Sequence, residues 1–248
     1  MAIPGIGEVA EGERIGSTLT AAADRAGYSL AGDDVIVVSQ KVVSKAEGRV
    51  RRLSEVEPGD TAVELAARIH RDPRLVELVL AESRRIVRAD PRVLITEHTS
   101  GWICANAGID ASNAPAEGTV ILLPEDADAS ARRIRAEIEA ACGARPGVIV
   151  ADTFGRPWRL GQTDVAIGAA GVRPVDDWAG RTDARGRELV ATAIATADEL
   201  AAAASLVRPK DAGLPAAMIR GALGVRTEED GPGAAAALQR SADEDLFR

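Results

Sequence analysis

The chain has 248 residues, 46% of them hydrophobic and 27% charged, with a formal net charge of −8 at pH 7. That is enough apolar material for a sizeable core in one domain or two closely joined ones, and the acidic balance argues against a nucleic-acid surface, which would be basic. Cys104 and Cys142 give no disulfide framework, His70 and His98 are too few for an imidazole-built metal site, and no run has signal-peptide or membrane-spanning character, so a cytoplasmic protein is expected.

In chain order, Ile15 to Ala26 reads as an amphipathic helix. Asp34 to Val38 is an apolar strand that runs into Ser39-Gln40-Lys41-Val42-Val43-Ser44-Lys45-Ala46-Glu47-Gly48-Arg49. Hydroxyls, an amide and two lysines after a strand form a candidate phosphate cradle, although they suit a solvated basic turn as well. It is neither a Walker A loop nor a dinucleotide fingerprint, since the glycine spacing of both is absent. Thr61 to His70 and Pro73 to Val87 read as helices, the second with Asp72 as its amino-terminal cap. Arg92 to Thr96 and Val120 to Leu123 read as strands, Ala127 to Cys142 as a helix laced with Arg and Glu, and Gly147 to Ala151 as a short buried strand. Arg187 to Val207 is alanine-rich and helical in pattern, with side chains small enough for close packing, and Pro215 to Ile219 is a late strand. Strands and helices mix without a regular βαβ repeat, so the expected class is α+β, mixed sheets with packed helices. After Gly224 the composition becomes that of a linker, which divides the chain into a domain at 1–224 and a tail at 225–248.

Two acidic stretches stand out chemically. Cys104-Ala-Asn-Ala-Gly-Ile-Asp-Ala-Ser-Asn113 surrounds a glycine with a carboxylate, two carboxamides and a hydroxyl and carries almost no bulk. Asp110 there offers the hard oxygen that Mg²⁺ or Mn²⁺ prefers, or else Asp110 and Asn113 bond their own backbone in an Asx-rich turn. Asp152-Thr153 follows the buried run Gly147 to Ala151, at the carboxyl end of a strand where α/β proteins place ligand chemistry. Phe154-Gly155-Arg156 then suits a turn opening onto an anion, unless Asp152 only caps the next element. Two sites that each end in an oxygen donor favour a shared divalent metal.

These stretches resemble the coenzyme F420:L-glutamate ligase family. The resemblance is carried by Ser44-Lys-Ala-Glu-Gly-Arg49, by Asp72-Pro-Arg-Leu-Val-Glu-Leu78 leading to Glu82-Ser83, and by Cys104 through Asn113. Leu122-Leu-Pro-Glu-Asp126, Asp152-Thr153 with Gly155-Arg156, Asp177-Trp178 with Gly180-Arg-Thr-Asp183, and Pro215 through Gly221 continue it, in order, over about residues 3–223. It implies the family's own α+β fold and a GTP-dependent ligase, working as a homodimer, that adds L-glutamate to F420 precursors through γ-glutamyl linkages and an acyl phosphate. By resemblance, Asp110 and Asp152 would bind one Mg²⁺ or Mn²⁺ and Thr153 a second, with room left for K⁺. Asn113 would hold the nucleotide, while Gln40, Lys41, Lys45 and the Ile6-Gly7-Glu8-Val9 turn would take its phosphates or the guanosine. Asp110, Asp152 and Lys45 are the residues expected to carry catalysis.

One stretch departs from the family. Where members often carry glycine followed by Gln or Lys, this chain has Arg208-Pro209-Lys210-Asp211, and the proline removes a backbone donor. Lys210 is therefore carried over as a phosphate contact, and the second metal's remaining ligand stays open. His98 and Cys104 read as structural, and Trp102, Trp158 and Trp178 as packing residues, with Trp158 near enough to Asp152 in sequence to line a pocket. Arg156 is either a clamp for substrate phosphate or a structural ion-pair partner. The end, Ser241 to Arg248, resembles the entry into the flavin domain of two-domain members, but flavin chemistry is not expected here. Two other classes stay open: a nucleotide-binding module without turnover, motivated by Arg208 to Asp211, and an assembly domain for a flavin-dependent partner.

Overall fold

A computed structural model describes residues 1–245; the end of the Ser241–Arg248 stretch lies outside the described residues. The chain begins with β1 (Ala2–Ile3), α1 (Ile15–Arg25), β2 (Val35–Ser39), α2 (Gln40–Ala46), β3 (Val50–Arg52), α3 (Asp60–Ile69) and α4 (Pro73–Ala81). It continues through β4 (Ser83–Asp90), β5 (Val93–His98), β6 (Ile103–Ala105), β7 (Thr119–Ile121), α5 (Ala127–Cys142), β8 (Gly147–Arg156) and β9 (Arg159–Ala170). The last elements are β10 (Asp176–Asp177), β11 (Ala193–Ile194), α6 (Thr196–Ser205), β12 (Ala216–Ile219) and α7 (Ala234–Leu238). Helices and strands thus mix over several sheets, in agreement with the α+β expectation.

The central sheet has the order β1-β12-β2-β8-β9. Only β2 and β8 run parallel within it; the other neighbours are antiparallel. Its middle strands are apolar on both faces, so helices must cover both. Ile36, Val38, Val148 and Val150 turn to one side and pack with Leu19, Ile134 and Ile138 of α1 and α5. Val35, Val37, Ile149 and Ala151 turn to the other and meet Ala197, Ala201 and Ala204 of α6. The alanines of α6 thus form the close-packed face expected of that segment. Gly168 lets α5 seat its first turn on β9, since a Cβ there would lie 2.2 Å from the Ala127 carbonyl oxygen. A separate cluster built on α3, α4 and Leu94 packs Ile109, Val120 and Leu122 beside the β4-β5-β6 sheet.

Several expectations are corrected. The helix starting at Pro73 stops at Ala81 rather than Val87, because Ser83 to Asp90 is needed as the edge strand against β5. Arg-Arg-Ile-Val-Arg fits helical spacing as well as a strand, and cross-strand pairing decides. The alanine-rich helix begins at Thr196, not Arg187; the preceding residues form an exposed connection in which Trp178 N bonds to Thr192 O. The strand from Gly147 does not end at Ala151 but runs to Arg156, so Phe154-Gly155-Arg156 is strand and the turn falls at Pro157-Trp158. The long partner strand β9 has no counterpart in the sequence reading. The tail after Gly224 lies against the body: buried Arg135 donates to Asp230 (2.7 Å) and to the carbonyls of Thr227 and Glu228, and Asp128 Oδ1 accepts from the Ala234 amide at 2.7 Å. Among the described residues no helix is long and apolar enough to cross a membrane.

Candidate active site

The parallel pairing of β2 with β8 brings two carboxyl ends side by side, Ser39 opposite Ala151. Whatever follows each strand therefore meets at one rim, the place where open sheets collect ligands. After β2 the chain turns straight into α2, so the expected cradle is helical, not a loop, and Gln40, Lys41, Ser44 and Lys45 sit on its successive turns. After Ala151, β8 carries on as Asp152-Thr153. Because strand side chains alternate, Asp152 falls on the α1/α5 side with Val150, and Thr153 on the α6 side with Ala151.

On the first side, Lys41 Nζ lies 2.7 Å from Asp110 Oδ2 and also donates to Ser112 Oγ. Asp110 accepts from the Ser112 amide (2.7 Å) and hydroxyl (2.8 Å), so the Asx turn forms and its carboxylate still faces a cation. Burial works to raise the Asp110 carboxyl, but the Lys41 ammonium and the Ser112 donors outweigh it and hold it below the usual range. Asp152 goes the other way. Burial pushes its carboxyl up to about 6, with the charges of Asp110 and Asp164 adding to the rise and the Thr153 amide and Lys41 opposing it. Burial chiefly, and Asp152 next, push the Cys104 thiol up to about 12, so Cys104 is an inert core residue.

On the second side, Thr153 Oγ1 donates to Asp164 Oδ1 at 2.6 Å and receives the Lys210 ammonium. Asp164 Oδ2 takes Arg208 at 2.8 Å in a pair with both side chains buried, and Lys210 reaches Asp164 Oδ1 at 3.3 Å. The departure at Arg208 to Asp211 therefore still delivers two cations to the site. Asp164, which the sequence reading passes over, joins them. An acid beside apolar Val165-Ala-Ile167 in one run was the available signal.

The remaining candidates gather less tightly. Lys45 Nζ pairs with Glu8 at 2.5 Å, which ties α2 to the Ile6-Gly7-Glu8-Val9 segment, whose Ile6 and Val9 side chains are core. Gln40 is fully buried; its Oε1 accepts from Ser44 Oγ at 2.8 Å while Nε2 has no protein acceptor. Asn113 is exposed with φ +56. The small residues before Asp110 serve packing rather than ligand access: a Cβ on Gly108 would lie 2.5 Å from Leu123. Trp158 is at a hairpin tip and 80% exposed, not the packing residue expected, while Arg156 donates to the Leu160 carbonyl at 3.1 Å. His98 is structural as expected, with Nδ1 2.7 Å from Ser100 Oγ and Nε2 3.4 Å from Glu82, a carboxylate that Arg49 also holds at 2.6 Å.

The donor set fits a hard divalent cation in chemistry, since carboxylates lie on one side of the strand end, a hydroxyl and a carboxylate on the other, and an ammonium group rests on each. It is not a closed protein cage: among the described residues no three His, Cys, Asp or Glu side chains are grouped so as to hold an ion. Each cation would need oxygens from a bound substrate, as Mg²⁺ sites on phosphates commonly do.

Residues 5–221 match the F420-0:Gamma-glutamyl ligase family. The chain is 48% identical over 216 residues to the coenzyme F420:L-glutamate ligase of Methanopyrus kandleri, covering 87% of this chain and 85% of that protein. It is 41% identical over 247 residues to the protein of that name from Methanothermobacter thermautotrophicus (99% and 97% covered) and 44% identical over 216 residues to that from Archaeoglobus fulgidus (87% and 84%). The chain belongs to the F420-0:Gamma-glutamyl ligase family.

Proposed function

We propose that this protein joins L-glutamate to coenzyme F420-0, and further γ-linked glutamates to the product, at the expense of GTP. The observation that carries the reading is the rim where Lys41–Asp110, Asp152 and the Thr153–Asp164–Lys210 group meet, in a chain of this family. A carboxylate is a poor electrophile, so amide formation needs it activated. An oxygen of the substrate carboxylate attacks the γ-phosphorus of GTP, GDP leaves, and the resulting acyl phosphate is displaced by the glutamate amine, which loses a proton as phosphate departs. Phosphoryl transfer is catalysed mainly by positioning and by neutralising charge that spreads over the phosphoryl oxygens. Lys41, Lys45 and Lys210 supply positive charge around the rim, and Asp110, Asp152 and Thr153 supply the oxygens that would hold Mg²⁺ or Mn²⁺. Held there, the metal would supply Lewis-acid charge neutralisation to the phosphoryl group.

The pairing of Lys45 with Glu8 supports a nucleotide pocket between α2 and the Ile6–Val9 segment, with Asn113 at its edge. That Arg208 and Lys210 both reach the site supports turnover over a silent binding module. The same reading takes the protein to be a homodimer of the cytoplasm, where GTP and L-glutamate are supplied, and admits K⁺ beside the divalent metal. Guanine preference rests on the family alone.

The test is direct. Purified protein with GTP, Mg²⁺ or Mn²⁺, L-glutamate and F420 lacking glutamate should yield GDP, phosphate and a glutamylated product by mass spectrometry. Equal turnover with ATP would remove the guanine preference, and no product with either nucleotide would remove the function.

A further inference from the structure

A cavity of about 340 Å³ lies on the α1/α5 side of the central sheet, where β9 meets the β5–β6 turn, the connection into α5 and the tail. Trp102, Leu123, Pro124 and Ile167 give it an apolar floor, and Ala235 and Ala236 of α7 form its outer wall. That wall is fitted at both ends. Asp128 accepts from the Ala234 and Ala235 amides, and a Cβ on Gly233 would lie 2.5 Å from the Asp128 carboxyl carbon. Past α7, Gln239 Nε2 donates to the Ser100 carbonyl at 2.9 Å, and a Cβ on Gly101 would lie 2.3 Å from Gln239 Oε1. An enclosed apolar floor with a few polar groups at its edge is the make-up of a small-molecule site.

Charge at the mouth decides which molecule. Glu125, Asp126 and Asp128 stand there against one guanidinium, that of Arg132. Phosphates and dicarboxylates are repelled by such a balance. Asp126 and Asp128 are engaged by the backbone amides of Ala129 and Ala169. A ligand therefore meets Glu125, whose side chain is 81% exposed and which Arg49 steadies at 3.3 Å, together with half-exposed Arg132. A flat heteroaromatic ring suits all three groups: Trp102 offers a face for stacking, Glu125 accepts from ring N–H, and Arg132 donates to ring carbonyls. Of the substrates of the proposed reaction, L-glutamate and the triphosphate carry the wrong charge, and the nucleotide is assigned to α2 and the Ile6–Val9 segment. The ring end of the acceptor remains.

The position agrees. Ile167 stands two residues, about 7 Å, along β9 from Val165, which pairs with Asp152. Phe154 and Val165 pack on that same face of the sheet. An acceptor held by its ring in the cavity can thus extend its acidic end along this face to the rim.

We propose that the cavity binds the fused-ring chromophore of F420-0, stacked on Trp102 and hydrogen-bonded by Glu125 and Arg132, with the tail as its outer wall. This rests on the proposed ligase function and deepens it by assigning the acceptor's ring site.

The experiment is equilibrium titration of the full chain with F420 lacking glutamate, read by the anisotropy of the chromophore's fluorescence, and in parallel with GTP and Mg²⁺, read by calorimetry. The proteins are wild type, Ala236→Trp, Trp102→Leu and a Val190→Trp control at an exposed residue elsewhere. Ala236 is exposed, so tryptophan there should leave the fold intact and fill the cavity, whereas Trp102→Leu removes the stacking face. Each cavity variant should raise the acceptor's dissociation constant, and its KM in the ligase assay, by about 10-fold or more, the scale of losing one stacked aromatic. GTP affinity should not change, and the control should match wild type. Wild-type acceptor affinity and KM in Ala236→Trp would overturn the ring site and leave the ligase standing. A fall in GTP affinity without one for the acceptor would give the cavity to guanine and overturn the assignment. A wild type that neither binds nor glutamylates the acceptor overturns the ligase function and the ring site together.

Discussion

Thr153 Oγ1 bonds to Asp164 Oδ1 across the β8–β9 pair, and the other oxygen of Asp164 holds the buried Arg208 guanidinium. One carboxylate thus links the candidate metal-binding hydroxyl to the segment after α6. Removing one partner of a buried pair leaves the other charge unmatched, at a cost of about 3–5 kcal/mol. Asp164→Ala should lose that much in urea denaturation, and Asp164→Asn, which keeps an acceptor, clearly less. Arg208→Leu with Asp164→Leu should recover most of the loss. If Asp164→Ala costs under about 1 kcal/mol, Arg208 escapes to water and the link is not structural.

Asp152 is expected to oppose folding at neutral pH. Its carboxyl is raised from 3.8 to about 6 in the folded protein, so the folded state holds the proton more tightly than the unfolded chain does. The stability linked to that proton is fully present below about 3.8 and is lost as pH climbs through 6, on the order of 3 kcal/mol in all. Without metal, Asp152→Asn should therefore be more stable than wild type at pH 8, match it near pH 4, and lose about 10²-fold or more in turnover. Added Mn²⁺ should stabilise wild type at pH 8 and not the variant. Denaturation curves at the two pH values decide it, and a variant with near-normal turnover would refute the metal role.

Asp110 and Asp152 are legible as candidates because one stands in a bulk-free loop and the other at the end of an apolar strand, although an Asx turn or a cap would explain each as well, and the Asx turn at Asp110 does form. What could not be read was which groups meet. Asp164 and Thr153 are 11 residues apart and become partners only through the register of β8 and β9, and β9 was hidden because its exposed half, Arg159 to Thr163, carries no apolar alternation. The helix predicted past Ala81 failed for a related reason. Ser83 to Asp90 is an edge strand with mostly exposed side chains, so neither face imposes a period of two, and the helical spacing carried on from α4 hides the strand preference of Ile86 and Val87. Conversely, Asp72 and Ala127 to Cys142 were read correctly, since an N-cap and a long amphipathic run are local signals.

Arg135 should hold the tail. It is 1% exposed and donates to the Pro146 carbonyl at 2.9 Å, to Asp230 and to the carbonyls of Thr227 and Glu228. Arg135→Met keeps much of the volume and removes every donor, so residues beyond 224 should become readily cleaved while the body survives. Limited proteolysis followed by mass spectrometry reads the cut sites. Cleavage no faster than in wild type would mean that the other tail contacts, among them Asp128 with the amides of Ala234 and Ala235 and Gln239 with the Ser100 carbonyl, hold it without Arg135.

Lys41 and Lys45 stand one helical turn apart on α2 but engage different partners, Asp110 and Glu8. That separation gives each a distinct expected effect. Lys45, whose side chain is nearly buried against the Ile6–Val9 segment, is the proposed phosphate contact, so Lys45→Met should raise the dissociation constant for GTP by about 10-fold or more, the worth of a charge-assisted bond of 1.5–3 kcal/mol. Lys41 instead neutralises Asp110 and tempers Asp152. Lys41→Met removes a competing ammonium, so Mn²⁺ should bind without nucleotide at lower concentration than in wild type, while GTP affinity changes less than in Lys45→Met. Calorimetric titrations of both variants with each ligand separate the two roles. Equal loss of GTP affinity in both would place the phosphates between the two lysines, and normal GTP and Mn²⁺ binding in both would return α2 to a helix with a solvated basic face.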